Sequence, residues 1–369
     1  MGFTALQAHS EGLGAAVADY RGAETASRFG DPQAEFAALH TSAGVSDLGY
    51  RAKISLTGAD RVRWLNGMVT NNIRDLAADH GVYAFLLNPQ GKILGDLYAY
   101  DRGDSITVDT DASQIEKILA TFDHYIIMDD VEVRNLSSEI TALGVTGPKA
   151  RDILAGAGFT IVELEPLQLQ AISWQNLDCT IVRNDVPHND PQFAGYEIWV
   201  APENVRQLWD ALVAAGATPI GSEALELHRI VCGMPRYGVD IRERDLPQET
   251  DQARALNFNK GCYVGQEIVE RIRSRGAVHR KFFGFVADAP ITPGTKIIAA
   301  EKEMGEITSA AIVEAPSGDK TVALGYIRRE AAAPGREVTI GAAKAIVASL
   351  PFSDAVLSRE EAPLVQRPA

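Results

Sequence analysis

The stretch NKGCYVGQE, residues 259–267, sets Cys262, one of three cysteines in the chain, two positions after Lys260 and between Gly261 and Gly265. Glycines on both sides permit positive φ and close backbone approach. The following QEIVERIR reads as a helix, so the thiol stands just before a helix N-terminus. There the helix dipole and the Lys260 charge favour the thiolate, the nucleophilic and metal-binding form. The same residues also suit a buried cysteine in a glycine-rich turn, because free cysteine is among the most buried residue types. Both readings stand on residue type alone. Cys179 lies in an apolar strand and Cys232 at a helix end, where core positions are expected.

Two other segments carry charge in places that can bind. In GYEIWV, Tyr196, Ile198 and Val200 alternate with Glu197 and Trp199, so Glu197 faces away from the aliphatic side of its strand. It is either an ordinary exposed carboxylate or a cleft carboxylate able to accept two parallel hydrogen bonds from an aminopyrimidine or guanidine-like group. HRIVCGMPRYGVD joins a helix bearing Arg229 to a turn at Tyr237-Gly238. Arg229 either pairs with Glu226, one turn back, or serves an anion site. His188, in the loop VPHNDP, shows no partner in the sequence and is expected to be solvated.

The chain that must position these groups has 369 residues, enough for two or three domains. Its 46% hydrophobic content supports a substantial core, and its net charge of -14 disfavours broad nucleic-acid or anionic-membrane binding. The cysteines are far apart, with no CxxC or Cys/His cluster, so neither a metal site nor a disulfide framework is indicated. A reduced, cytoplasmic chain is expected. MGFTALQAHSEG lacks the basic and apolar regions of a signal peptide, and Leu6 stands where a myristoylation motif needs Ser or Thr. No apolar run is long enough to span a membrane.

Along the chain, PQAEFAALHTSAGV reads as a helix begun by Pro32 after Asp31, and AKISLTG alternates as a strand. ADRVRWLNGMV puts Val62, Leu65 and Val69 on one helical face. VYAFLLN, KILGDLYAYD and SITVDT read as successive strands, the first two joined by the turn NPQG. DASQIEKILATF opens with an Asp111-x-x-Gln114 capping box before the stripe Ile115, Ile118, Leu119 and Phe122. LTGADRVRWLNG and VTGPKARDILAG share T-G-x6-L-x-G, 89 residues apart (Gly67 to Gly156). A duplicated α+β unit explains the echo; chance recurrence of a common strand–glycine–helix arrangement is the competing account. A second α+β stretch follows through QLQAISW, DCTIVRN, GYEIWV, ENVRQLWDALVAAG and EALELHRIVCG. From Lys281, short β-rich runs alternate with Gly/Pro turns, as in a small barrel or sandwich. The organisation expected is an α+β region over 1–280, with units at about 31–135 and 136–280 and interleaving allowed. An all-β domain at 281–357 and a frayed tail at 358–369 complete it.

These segments together resemble a known family. KGCYVGQE is similar to the K-G-C-aromatic-x-G-Q-E signature of YgfZ-type folate-binding proteins, which are relatives of the glycine cleavage T protein, an aminomethyltransferase, in the GcvT superfamily. Lys260, Gly261, Cys262, Tyr263, Gly265, Gln266 and Glu267 match it. LPQE (Leu246 to Glu249) and NFNKG resemble the segment that precedes this signature. RIVCGMPRYGVDI resembles the family's arginine stretch, keeping Arg229, Gly233, Pro235, Tyr237, Gly238 and Asp240, with Val231 in place of a Glu. GYEIWV resembles the G-Y-E strand whose Glu meets the pterin in T proteins. The resemblance spans nearly the whole chain, including MGEITSAAIV in the β-rich region. Two positions depart from the T-protein pattern. Where T proteins have I-L-D-D-L, this chain has Ile93, Leu94, Gly95, Asp96 and Leu97, and where they have K-G-D it has Cys262.

The resemblance implies duplicated α+β units forming a folate-binding domain pair, closed by a C-terminal all-β barrel into a three-domain ring. It implies tetrahydrofolate or a derivative as ligand, with Glu197 on the aminopyrimidinone edge, Arg229 on the glutamate tail and Tyr83 stacked on the p-aminobenzoyl ring. Tyr196 and Tyr237 are expected beside them. Cys262, at the mouth of the cavity, Asp96 and Lys260 are the expected reacting groups. The function implied first is that of a folate-dependent accessory protein in iron–sulfur cluster assembly or repair, partnered by iron–sulfur enzymes or their assembly proteins. A lone cysteine cannot hold a four-thiolate cluster, so Cys262 would act as a transient ligand or redox thiol. The alternative is an aminomethyltransferase moving a one-carbon unit from an aminomethyl-lipoyl carrier protein to tetrahydrofolate, against which the two departures count. A non-catalytic folate-binding scaffold is the third reading.

Overall fold

The computed structural model describes residues 2–352 apart from 189, 191, 277 and 315–317; the frayed tail expected at 358–369 lies outside the described residues. Both copies of the Thr-Gly motif turn a strand into a helix. Arg51–Thr57 leads into Arg61–Met68, and Thr141–Gly147 into Ala150–Gly156. Gly58 and Gly147 have φ of 95° and 138°. A Cβ at Gly58 would lie 2.2 Å from the Asp130 carbonyl oxygen, and one at Gly147 2.4 Å from that of Ser42. Each motif therefore needs glycine for conformation and for clearance.

Each motif strand belongs to its own sheet. One sheet runs Gly81–Leu87, Ile93–Asp101, Ile106–Asp111, Arg51–Thr57, Glu132–Asn135. The other runs Leu169–Trp174, Leu177–Arg183, Ala194–Val200, Thr141–Gly147, Gly44–Asp47, Thr218–Ile220. Taken in order, the first five strands correspond, with the fifth exchanged. Gly44–Asp47, which precedes the first motif strand, sits in the second sheet, and Glu132–Asn135, which precedes the second, sits in the first. The carbonyls that press on Gly58 and Gly147 lie just before these exchanged strands. The fold is thus a duplicated, interlocked α+β pair.

Helices cover one face of each sheet. Ile118 and Phe122 of helix Ile115–Tyr125 pack with Leu65, Ile54 and Ala99, and Leu208, Trp209 and Leu212 of helix Val205–Ala214 pack with Leu143, Val145 and Ile198. Helix Pro32–Thr41 starts as expected, with the Asp31 side chain accepting from Gln33 N at 3.2 Å. The expected Asp111–Gln114 capping box does not form. A short 3-10 turn, Ala112–Gln114, precedes the helix, and both side chains are engaged elsewhere.

The β-rich region is a closed six-stranded barrel in the order Arg280–Ala287, Lys320–Arg328, Lys302–Val313, Lys296–Ala299, Glu337–Ile340, Ala343–Ala348, the last pairing with the first. Phe285, Ile297, Ile307 and Ile327 fill it. Phe282, Leu324 and Tyr326 dock it on Phe36, Leu39 and Ile230 of helices Pro32–Thr41 and Ser222–Val231. No helix among the described residues is long and apolar enough to cross a membrane.

Candidate functional site

The uncovered faces of the two sheets look onto one cavity, whose lining includes Tyr83, Asp96, Tyr196, Glu197, Arg229 and Tyr237. Six of the eight site residues expected from the sequence therefore meet there. Cys262 and Lys260 are not in its lining.

Asp96 is the acid of the cavity. On strand Ile93–Asp101 adjacent side chains point to opposite faces, and a Cβ at Gly95 would sit 3.0 Å from Gln114 Oε1 and 3.6 Å from Ile118. Position 95 thus lies under the helix, whereas Asp96 opens to the cavity. Tyr83 OH donates to Asp96 Oδ2 at 2.7 Å, and Gln114 Nε2 to Oδ1 at 2.7 Å. Gln114 Oε1 in turn accepts from Asp96 N at 3.0 Å. Burial, and then the nearby Asp111 charge, raise the Asp96 pKa above the usual carboxylate value, as both effects disfavour a second negative charge out of water. Tyr83 is a positioning residue rather than an open stacking platform. Its hydroxyl orients Asp96, and the Arg254 guanidinium lies 4.4 Å from its ring centroid.

Glu197 faces the cavity from the other sheet. Tyr196 and Ile198 join the helix-covered core, and Trp199 Nε1 donates to Glu197 Oε2 at 3.1 Å. Burial and the Asp109 charge raise its pKa. Beside it runs an ion array, of which Arg21, Arg51 and Asp111 also line the cavity. Lys53, with no exposure, donates to Asp109 Oδ1 at 2.8 Å and lies 4.8 Å from the Trp199 ring centroid. Arg51 bridges Asp109 and Asp111, and Arg21 closes on Asp111. Despite burial, the Arg21 and Arg51 charges hold Asp111 below its ordinary value. Arg51 pairs in register with Asp111, and Lys53 with Asp109, across antiparallel strands. The pattern R-x-K in one strand and D-x-D in another was a legible signal for this array, because both sets recur at the strand period.

Besides Tyr83, four expected site residues are placed differently from the expectation. Arg229 Nε donates to Glu226 Oε2 at 2.7 Å, Nη1 to Asp240 Oδ2 at 2.8 Å and to Met234 O at 3.2 Å, and Nη2 to Ser309 Oγ at 2.8 Å, with Glu226 again 2.7 Å away. All five guanidinium donors are committed within the protein, so Arg229 ties its helix to the barrel instead of holding a ligand anion. Tyr196, 2% exposed, packs into the helix-side core while bordering the cavity. Lys260 turns its ammonium into the backbone and away from the thiol. It donates to the carbonyls of Asn66, Val69 and Asn71, each at 2.6 Å, which accounts for its three protons, and burial with the Arg74 charge lowers its pKa to about 7. Cys262 is exposed, outside the cavity. Gly265, at φ 83°, does cap helix Gln266–Arg275, but Gly261 borders open space. Tyr237 is pinned beside the cavity by its hydroxyl, which donates to Leu94 O at 2.5 Å.

His188 is not solvated as expected. Its ring stacks on Phe193 at 3.8 Å between centroids, beside His40 and His228. Cys179 and Cys232 are buried, as their neighbours suggested. Among the described residues, no group of three or more His, Cys, Asp or Glu is placed to hold a metal ion.

Comparison with known proteins gives a consistent result. The GCVT N-terminal domain model matches residues 6–260, and the glycine cleavage T-protein C-terminal barrel domain model matches 280–354. The chain is 30% identical over 349 residues to the aminomethyltransferase of Streptomyces coelicolor, covering 90% of this chain and 91% of that one. It is 26% identical over 327 residues to a chloroplastic putative transferase of Arabidopsis thaliana, covering 86% and 72%. The crystal structure of glycine cleavage system aminomethyltransferase T from Bartonella henselae superposes with a TM-score of 0.85 over 95% of this chain and 98% of that one; at 22% identity this likeness speaks for the fold.

Proposed function

The chain belongs to the glycine cleavage T-protein family, and from that premise we propose that it is a folate-dependent one-carbon transferase of the aminomethyltransferase type. The observation that carries this reading is the direction of Asp96. Of the two positions where T proteins have acids, the one retained here faces the cavity, and Gly95 faces the helix. The departure at Cys262 lies on the surface and removes no group from the cavity.

Tetrahydrofolate fits the residues present. The Glu197 carboxylate offers a fork to the aminopyrimidinone edge, and the Asp96 carboxylate, made more basic by burial and held by Tyr83 and Gln114, is placed to accept a proton from a ring nitrogen as that nitrogen gains a carbon. The aminomethyl-lipoyl group of a carrier protein is the donor in this reading: its methylene carbon bonds to the folate nitrogens as its C–S and C–N bonds break, releasing the dihydrolipoyl thiol and ammonia. A coupled assay with aminomethylated lipoyl carrier protein and tetrahydrofolate tests it. The expected result is methylenetetrahydrofolate formation on the order of 1 per second. Tetrahydrofolate binding without turnover would overturn the transferase reading in favour of a folate-binding scaffold.

One observation favours a second reading, the YgfZ-type accessory role in iron–sulfur cluster assembly: Cys262 is exposed, in a match to that signature. A deletion strain carrying Cys262→Ser separates the two. Full recovery of iron–sulfur enzyme activity by this variant removes the accessory role of the thiol.

A further inference from the structure

The segment at 250–257, between LPQE and NKGC, is laid along strand Gly81–Leu87. Thr70 and Asn71 stitch the two together. Asn71 Nδ2 donates to Tyr83 O and to Arg254 O, each at 2.8 Å. Thr70 Oγ1 donates to Ala255 O at 2.6 Å and accepts from Phe85 N at 2.9 Å. The Lys260 ammonium, seated on the carbonyls of Val69 and Asn71, fixes this frame from the other end.

The frame carries Arg254 into the cavity lining. Its guanidinium stands 4.4 Å from the Tyr83 ring centroid and 5.9 Å from that of Tyr98. Nε donates to Gln252 Oε1 at 3.1 Å, Nη2 to Tyr98 OH at 3.5 Å, and Nη1 to Asp185, from the loop after strand Leu177–Arg183. Asp185 Oδ1 in turn accepts from Tyr98 OH at 3.3 Å. The cation is thus held against the ring whose hydroxyl donates to Asp96 Oδ2. Burial, and then the Asp96 charge, raise the Tyr83 pKa, and Arg254 opposes them. Around Asp96 itself, Asp111 and Arg51 act from strands Ile106–Asp111 and Arg51–Thr57, and Tyr237 is near enough to feel its charge.

A cation beside a phenol ring is attracted by the ring's electrons and makes the hydroxyl a stronger donor. A hydrogen bond to the charged form of a carboxyl favours that form. Burial and Asp111 push Asp96 the other way, and an acceptor raised too far is already protonated when its substrate arrives. We propose that Arg254 is a positioning residue for Asp96: held against the Tyr83 ring, it strengthens that hydroxyl's hydrogen bond and keeps the carboxylate ionised in the cavity. The inference rests on the reading of Asp96 as proton acceptor. Asp185 tempers the effect, because its charge offsets that of the guanidinium.

The test is an NMR titration of the full chain labelled with [γ-13C]aspartate, the Asp96 resonance being assigned by its loss in Asp96→Asn. Arg254→Met should raise the Asp96 midpoint by about half a pH unit. Asp185→Asn, which keeps the guanidinium in place, should lower it. Tyr83→Phe should raise it, and adding Arg254→Met to Tyr83→Phe should move it little further. The acid limb of kcat/KM for methylenetetrahydrofolate formation should shift in the same order, activity in Arg254→Met failing at a higher pH than in wild type. A strap that is only structural predicts the same loss from either partner of the Arg254–Asp185 pair and an unmoved midpoint. An unmoved midpoint in Arg254→Met, or an undiminished shift in the Tyr83→Phe background, overturns the proposal. If Arg254→Met does not fold, Asp185→Asn decides: a lowered midpoint upholds the proposal, and an unmoved or raised one overturns it. If the midpoints shift as expected and no methylenetetrahydrofolate forms, the transferase reading fails separately, and the control of Asp96 by Arg254 stands.

Discussion

Replacing Asp96 by Asn tests the core of the proposed chemistry, because the fold tolerates the change and the chemistry does not. The carboxylate receives two hydrogen bonds, from Tyr83 OH and from Gln114 Nε2, each at 2.7 Å. Gln114 cannot flip, because its Oε1 accepts from Asp96 N. The Asn oxygen must then face Gln114, and its amide nitrogen must face Tyr83, whose hydroxyl accepts as readily as it donates. The number of hydrogen bonds is preserved and a partly desolvated charge is removed, so the stability change should stay within about 1 kcal/mol. Loss of a positioned proton acceptor lowers rates by roughly 10²–10⁴-fold, or about 2.7–5.4 kcal/mol of transition-state stabilisation. The assay is kcat/KM for methylenetetrahydrofolate formation, with chemical denaturation and tetrahydrofolate titration as controls. A variant that is folded, binds tetrahydrofolate and turns over within threefold of wild type would refute the assignment of Asp96 as proton acceptor.

Glu197→Gln should change the pH dependence of stability. The folded pKa of Glu197 is raised above the unfolded value, so the folded state binds the extra proton, and this contribution is full below the unfolded pKa and lost as pH rises through the folded one. The melting temperature of the variant relative to wild type should therefore climb as pH rises above about 4, the ordinary glutamate value; a difference that stays flat above that pH refutes the shift. Arg229→Met should destabilise by about 3–5 kcal/mol in denaturant unfolding, because Asp240, fully buried, loses its cation. A loss below ~1 kcal/mol would show that the pair is not what ties the helix to the barrel. Iodoacetamide should label Cys262 in the native protein, and Cys179 and Cys232 only after unfolding, since burial pushes those thiols up to about 11 and about 12; equal labelling of all three contradicts the exposure pattern.

What was legible in the sequence was mostly local. The alternation in GYEIWV placed Glu197 opposite Tyr196 and Ile198, and the sheet does so. The Thr-Gly echo marked two equivalent strand-to-helix turns, although nothing in it showed that their leading strands change places. The partners that redefine Arg229 and Lys260 were beyond such reading. Ser309 lies 80 residues from Arg229, and the carbonyls that hold Lys260 lie 189 to 194 residues away. A lysine beside a cysteine in sequence suggested a thiolate, but a side chain with four rotatable carbons points wherever its charge is best solvated, here into three carbonyls.

The two departures from the T-protein pattern show the same limit more sharply. Compared position by position, Gly95 and Cys262 look like two acids missing from one site. The strand period already separates the first, since residues 95 and 96 must face opposite sides, and the fold confirms that 95 looks at Gln114 and Ile118. The second lies on an exposed turn, before a helix capped by Gly265. Neither substitution touches the pair that meets in the cavity, Asp96 from one sheet and Glu197 from the other. Both of these carboxyls are shifted upward, and the array beside them pairs Asp109 and Asp111 with Lys53, Arg51 and Arg21. Asp111, the third acid of the cavity lining, is thus neutralised by Arg21 and Arg51, and Asp96 and Glu197 remain the lining acids without an ion pair among the described residues, the groups placed to exchange protons with a ligand.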